Sequence, residues 1–413
     1  MLLLFIMPKS KVSDEENRAL AQMPELSAEN VFSGKYAKGI DDYLNDHFPF
    51  RTAFILAGDG LGNVFKYTDE NSVEVLAGVV NDDMGEGETL YDVQDEEEEP
   101  SEPEEEPLPE AAQIDVPEKA DYNSHGIIIS GTRAMETFGY YDSMLESYAS
   151  IVNKMSEAVP EVKVYSIVVP TAGEFYSPVE YHTGMHSQKD AISKLYSYLS
   201  PEVSPVDAYT YVAAKADEYV YFRTDHHWTA RGAYQGYLGF CRAAELEAVP
   251  LESFPTEVVS DSFVGSMYRY TKRQIIKDNP DYVEVFYQPE PESCKGYTSA
   301  SMGYSYDVDM ISNTEKTTNK YLAFLGGDHP LLHIVTMNKN GRRLLVFKDS
   351  FGNALIPFLT NHYEEVYVVD PRSATLTVSE FCQQHEINDI LMENYAFAIS
   401  NSAILNGLKA AAR

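Results

Sequence analysis

From about residue 125 onward, short apolar runs alternate with amphipathic segments, and this alternation limits what the chain can fold into more than any other feature. "HGIIIS" fits a buried strand. "YYDSMLESYASIVNKMSEAV" places Leu145, Tyr148, Ile151, Val152 and Met155 on one helical face. "VKVYSIVVP" (162–170) reads as a strand closed by Pro170, and residues 187–199 as a helix. "EYVYFRT" (218–224) is strand-like and "TARGAYQGYLGFCRAAEL" is helical. "RRLLVFKDS" is a continuous apolar strand and "FGNALIPFL" a short helix. "EEVYVVD", "VSEFCQQHEI" and "NDILMEN" add strand, helix and strand. Strand and helix in repetition predict an α/β fold, a mostly parallel sheet with helices on both faces. Residues 250–320, rich in Tyr, Ser and Asp, read as an irregular insertion.

The part before residue 121 is different. Residues 13–50 read as an extended lead-in followed by a short helix, with Tyr36, Ile40, Tyr43 and Leu44 at helical spacing. A second helix is expected at about 50–66. Residues 67–120 read as a linker. Within it, 92–118 carries thirteen Asp and Glu and no Lys or Arg, a composition that repels itself and predicts disorder. The expected organisation is therefore a membrane-proximal lead-in (1–66), a linker (67–120) and one catalytic domain (121–413).

The first residues, "MLLLFIMPKSK", hold about seven apolar side chains, too few for a bilayer, which takes about twenty. They suit the end of a membrane anchor that starts upstream, and a short buried end is the other reading. The first reading places the protein outside the membrane, at the cell envelope or beyond. The formal charge of −34 argues against a nucleic-acid partner, because phosphates need cationic neutralisation. Three widely spaced cysteines, Cys241, Cys294 and Cys382, offer no sulfur-based zinc spacing. One disulfide is possible but nothing requires it.

Two stretches carry the candidate chemistry. "YFRTDHHWTARG" (221–232) sets Asp225, His226 and His227 beside the single tryptophan, Trp228. In extended backbone Asp225 and His227 share a face and His226 takes the other. A carboxylate two residues before an imidazole can fix its tautomer, provided the turn ahead of the helix curls the two together. Trp228 is positioned to wall such a site, and Thr229 to cap the helix. The same cluster, with Asp328 and His329 of "GGDHPLLH", also suits a metal ion. A third reading is a knot of polar groups that satisfy one another at a helix start.

In "LLVFKDSFGNALIPFL", Ser350 follows an apolar strand and precedes a helix. That is the carboxyl end of a sheet strand, where open α/β sheets bind their ligands. Backbone N–H groups at the helix start can hold an oxyanion, with Gly352 and Asn353 nearby. A simple helix cap is the plainer role for Ser350. No G-x-S-x-G elbow is present. A serine at one strand end and Asp-x-His at another are the parts of an acyl-transfer triad.

"TDHHWTARGAYQGY" together with "LLVFKDSFGNALIPFLTNHYEEVYVVDPR" resembles the DHHW protein family, which is similar to the SGNH-hydrolase-like domain of alginate O-acetyltransferases. The lead-in "ENRALAQMP…YLNDHFPFR" resembles the segment after the membrane anchor in those proteins. The likeness spans most of 13–60 and 120–400. It implies an SGNH-like fold, an extracytoplasmic setting, and a triad of Ser350, His227 and Asp225. It also implies a site-lining arginine, for which Arg372 is the candidate. Lys348 stands where that pattern has Gly before Asp-Ser. No clear Gly-x-Asn-Asp block appears, and Gly327 in "LGGD" is matched by position only.

The function expected is acetyl transfer to or from a cell-surface or secreted polysaccharide, without a cofactor. The donor expected is a membrane acyl-donor protein or an acyl ester. The alternatives are a metal-dependent hydrolase built on Asp225, His226 and His227, and a catalytically silent glycan-binding protein of the envelope.

Overall fold

Alternating apolar strands must be covered, and in the computed structural model they build one eight-stranded sheet. The structure describes residues 107–124, 126–374 and 376–413, with a few isolated positions before residue 44. The N-terminal apolar run, the expected helix at 50–66 and the acidic run up to residue 106 lie outside the described residues.

From residue 107 onward the strands in chain order are β1 (Tyr122–Ser124), β2 (Ile127–Ser130), β3 (Arg133–Glu136), β4 (Lys163–Val169), β5 (Val203–Val206), β6 (Thr256–Phe263), β7 (Asp281–Phe286), β8 (Ser293–Tyr297), β9 (Ser305–Asp307), β10 (Leu331–Val335), β11 (Arg343–Lys348), β12 (Glu365–Val369) and β13 (Asp389–Tyr395). The principal helices are α1 (Asp142–Ala158), α2 (Gln188–Ser197), α3 (Ala230–Ala243), α4 (Gly352–Leu359), α5 (Val378–His385) and α6 (Ser402–Ala411).

The central sheet runs β9-β8-β10-β12-β11-β13-β4-β5. From β12 to β5 every pairing is parallel, while β10, β8 and β9 extend the sheet antiparallel. The apolar run of β11 divides by the two-residue period of a strand. Leu344 and Val346 enter a cluster with Ile167, Leu391 and residues of α3 and α4. Leu345 and Phe347 enter a second cluster with Val168, Met392 and residues of α1, α2, α5 and α6. The stripe expected on α1 is buried, with Leu145, Tyr148, Val152 and Met155 all essentially without exposed surface. Each such side chain stabilises the fold by about 1.5–3 kcal/mol.

Two local expectations are corrected. "HGIIIS" is a buried strand, β2, but it belongs to a separate antiparallel three-stranded sheet with β1 and β3. Residues 218–224 form no strand. The chain there turns back on itself, leaving one isolated bridge between Tyr221 and Trp228. Residues 250–320 are more regular than their composition suggests. They hold the β6–β7 hairpin and the two strands, β8 and β9, that extend the central sheet.

Residues 107–120 form neither helix nor strand but lie along the body. Ala112 N–H donates to Ala213 O at 2.9 Å, and the carbonyls of Pro117 and Glu118 accept from Val179 and Glu180 at 3.0 Å. Cys241, Cys294 and Cys382 are free and buried. No helix among the described residues is long and apolar enough to cross a membrane.

Candidate active site

The parallel register of β11 and β13 brings Lys348 level with Glu393 at the carboxyl ends of both strands. The chain leaves β11 through Asp349 and Ser350, and Asp349 fixes this turn. Its fully buried carboxyl accepts from Phe351 N–H (3.0 Å), Tyr395 N–H (2.9 Å) and Asn394 Nδ2 (3.2 Å). Asn394 in turn accepts from the hydroxyl of Tyr148 on α1 at 2.8 Å. Burial pushes the Asp349 carboxyl up, and the three donors oppose that shift. The residue that starts α4 is Phe351, which makes no side-chain cap. The Ser350 hydroxyl is therefore not engaged in capping, and no partner for its backbone N–H is found among the described residues.

The opposing loop, 219–229, is held by groups from the inserted segment. Asp281 of β7, fully buried, accepts from the N–H groups of Arg223 and Thr224, from Thr224 Oγ1 and from Tyr219 Oη. Arg133 donates from the other side to Phe222 O at 2.9 Å. Thr229 caps α3 by accepting from Gly232 N–H at 3.3 Å. The start of α3 lies so close to this loop that a Cβ on Gly232 would collide with Val220 O, and one on Gly236 would meet the Trp228 ring at 2.9 Å. Glycine is required at both positions because backbone and indole occupy the space.

These two supports bring three predicted residues into one hydrogen-bonded line. His227 Nε2 lies 2.7 Å from Ser350 Oγ. His227 Nδ1 lies 2.6 Å from Asp225 Oδ1, which also accepts the His227 backbone N–H at 3.0 Å. The other oxygen, Asp225 Oδ2, accepts Ser266 N–H at 2.8 Å. Burial alone would raise the Asp225 pKa, but His227, His226 and these donors hold it well below the ordinary carboxylate range. The His227 ring stacks on Tyr321, with centroids 3.8 Å apart and planes 8° apart. Tyr321 Oη donates to Ser350 O at 3.0 Å. One tyrosine thus braces both the imidazole and the serine turn.

Strict alternation does not hold in this loop. His226 is not on the far face, because the loop curls and sets its ring centroid 3.8 Å from that of His227. Its Nδ1 lies 2.6 Å from Ser266 Oγ. Burial and the neighbouring His227 lower its pKa.

The other predicted site residues are engaged internally. Trp228 is fully buried and donates its indole N–H to Phe351 O at 2.9 Å, so it supports the serine turn from beneath instead of walling a cavity. The backbone N–H groups of Gly352 and Asn353 donate to Asp349 O and Ser350 O at 3.2 and 3.3 Å, and Gly327 N–H donates to Phe324 O at 3.1 Å. Asn353 Nδ2 donates to Asp328 Oδ1 at 2.9 Å. Arg372 donates to both Asp370 and Asp328, at 2.7 Å each. Asp328 also accepts from the fully buried Lys348 Nζ at 2.7 Å. Lys348 and Arg372 hold its pKa below the usual range.

Asp225, His226 and His227 do bring one ligand atom each within 4.8 Å of one another, and they are the sole such group among the described residues. Both nitrogens of His227 already have partners, Asp225 and Ser350. A cation would have to break that line, so the donor set fits a metal poorly. Asp328 is bound elsewhere, as described, and His329 lies between Tyr306 Oη and Leu325 O at 2.7 Å from each.

Sequence reasoning missed Tyr321, Asp281 and Ser266. Nothing distinguishes Tyr321 among thirty tyrosines, or Asp281 in a segment rich in acids.

Comparison with known proteins follows the same outline. A family model described as DHHW protein matches residues 68–369. The crystal structure of a DHHW family protein from Eubacterium siraeum is 32% identical, with 70% of this chain and 96% of that one covered and a TM-score of 0.63. PatB1 from Bacillus cereus, solved with a sulfonyl adduct, is 18% identical over 67% of this chain and 97% of that one, with a TM-score of 0.57. The O-acetyltransferase domain of AlgJ from Pseudomonas putida is 13% identical over 66% and 93%, at a TM-score of 0.37. No curated protein matches the chain.

Proposed function

The chain belongs to the DHHW protein family, and from that premise and the geometry of its site we propose that it is a serine-dependent O-acyltransferase or esterase. Its substrate in this reading is an extracytoplasmic polysaccharide, and its acyl group comes from a membrane acyl-donor protein or an acyl ester. The SGNH-like form of the domain belongs to the same reading. The observation that carries it is the contact of 2.7 Å between His227 Nε2 and Ser350 Oγ, backed by 2.6 Å between His227 and Asp225.

In this mechanism His227 Nε2 takes the Ser350 proton as Oγ attacks the acyl carbonyl. Asp225, ionised because its pKa is depressed, stabilises the imidazolium that forms. The Ser350 backbone N–H is the donor available to the developing oxyanion. Collapse of the tetrahedral intermediate returns the proton to the leaving oxygen and leaves the acyl group on Ser350. An acceptor hydroxyl, activated by His227, then removes it. Asn353 and Arg372, both tied to Asp328, support the rim of this region.

The test is labelling with a fluorophosphonate probe. The wild-type chain is expected to label, and Ser350→Ala and His227→Ala to lose the label. A wild type that never labels would sink the proposal and leave the glycan-binding alternative.

A further inference from the structure

A second imidazole stands beside the first, and the mechanism above does not use it. The His226 ring is pinned on one side, where Nδ1 lies 2.6 Å from Ser266 Oγ. Ser266 is itself anchored by its N–H on Asp225. The other ring nitrogen, Nε2, has no hydrogen-bond partner among the described residues, and the side chain keeps 23% of its surface exposed. Glu136 at the end of β3 and Arg269 are near enough to act on the ring electrostatically. The rings of Phe351 and Tyr395 stand 6.0 and 6.4 Å away.

A histidine pinned through one ring nitrogen keeps the other for a ligand or for water. Here a pinned imidazole leaves one nitrogen free beside the base. In a neutral imidazole that nitrogen is a single donor or acceptor. The two ring centroids are 3.8 Å apart, so the two imidazoles are direct neighbours at the site.

We infer that His226 is an acceptor-selecting residue: its free nitrogen holds one hydroxyl of a polyol while the adjacent hydroxyl is delivered to His227 and the acyl group on Ser350. This rests on the acyl-transfer reading. The reacting acceptor hydroxyl gives its proton to His227 Nε2, and its oxygen bonds to the acyl carbon. The bond from the acyl carbon to Ser350 Oγ breaks as His227 returns the proton to Oγ. Water and a monohydric alcohol lack the second hydroxyl, so His226 favours sugars over both.

The experiment uses p-nitrophenyl acetate as donor, with glycerol and 1-propanol as competing acceptors, and reads the p-nitrophenol burst and the ratio of the two acetate esters. The wild type should favour glycerol by about fivefold per mole, the worth of one hydrogen bond. In His226→Gln that preference should fall to near one, while the burst falls by less than about threefold. Ser266→Ala, which unpins the ring, should lower the preference by about twofold and gives a second measure should His226→Gln fold badly. A wild type without the preference, or a His226→Gln protein that keeps it, overturns the inference and leaves acyl transfer standing. A variant that loses burst and preference together also overturns it, because the ring would then serve His227 and not the acceptor. A wild type with neither burst nor fluorophosphonate label overturns both readings.

Discussion

Two polar clusters flank the turn at Ser350, and they end differently. On one side Asp225, His227 and Ser350 form a line whose last member is a hydroxyl with no further partner. On the other side Lys348, Asp328, Arg372 and Asp370 set two cations against two carboxylates and Asn353 Nδ2 joins them, with the buried Asn353 Oδ1 left without a partner. Both lie at the carboxyl end of the parallel strands; Asp225, His227, Lys348, Asn353 and Asp370 are buried, while Asp328 and Arg372 each keep about a third of their side-chain surface exposed. The difference teaches what burial is for in each case. A cluster of paired ions sets its own pairing against its desolvation cost, which suits it to support the fold. The open line ends on a hydroxyl whose one side-chain partner is His227, and that hydroxyl is the one able to react.

The largest expected effect breaks the open line. Asp225→Asn should lower turnover of an aryl acetate by about 10⁴-fold, because the imidazole loses the carboxylate that fixes its tautomer. His226→Ala should cost less than His227→Ala in the same assay. Equal losses would erase the distinction between base and neighbour.

The paired cluster should respond in stability instead. Asp328→Ala strands the fully buried Lys348 ammonium. It should cost about 3–5 kcal/mol in urea unfolding. Ser350→Ala should change stability by less than about 0.5 kcal/mol. If the serine variant unfolded as readily as the aspartate variant, the two clusters would not differ in kind.

A smaller effect concerns Glu393, whose fully buried carboxyl lies beside Lys348. Burial first, then the charge of Asp349, raises its pKa well above the ordinary value. The folded protein therefore keeps this proton when the unfolded chain loses it, above about pH 4.3, and stability falls as pH rises. Glu393→Gln should raise Tm at pH 8 more than at pH 5. The same shift at both would show that Glu393 is ionised in the fold.

The smallest is His362, whose Nε2 lies 2.7 Å from Tyr237 Oη. Burial lowers its pKa to about 4. The unfolded chain takes up a proton near pH 6.5 and the folded one only near 4, so stability present above pH 6.5 is lost as pH falls through that window. In His362→Gln the drop in Tm between pH 7 and pH 5 should shrink.

Much of this was legible in the residues. The apolar period of β4, β11, β12 and β13 announced a buried parallel sheet, and α1 announced its apolar face, because side-chain periodicity is local. Ser350 at a strand-to-helix junction and the Asp225-His226-His227-Trp228 run stood out for the same reason. The spread of β8 and β9 onto the antiparallel edge did not, since short strands rich in Ser, Lys and Gly carry little pattern. The role of Trp228 was misjudged because a large aromatic beside a polar cluster looks the same whether it walls a cavity or lies under a turn.

By itself the sequence determined the parallel strands β4, β11, β12 and β13, the apolar face of α1, and which residues supply acid, imidazole and hydroxyl. The tertiary structure alone decided that residues 123 apart meet at 2.7 Å, that Asp281 of the inserted hairpin holds the histidine loop, and that Tyr321 braces both halves. Those outcomes depend on strand order and register, which follow from burying two faces of one sheet at once and leave no mark on neighbouring residues.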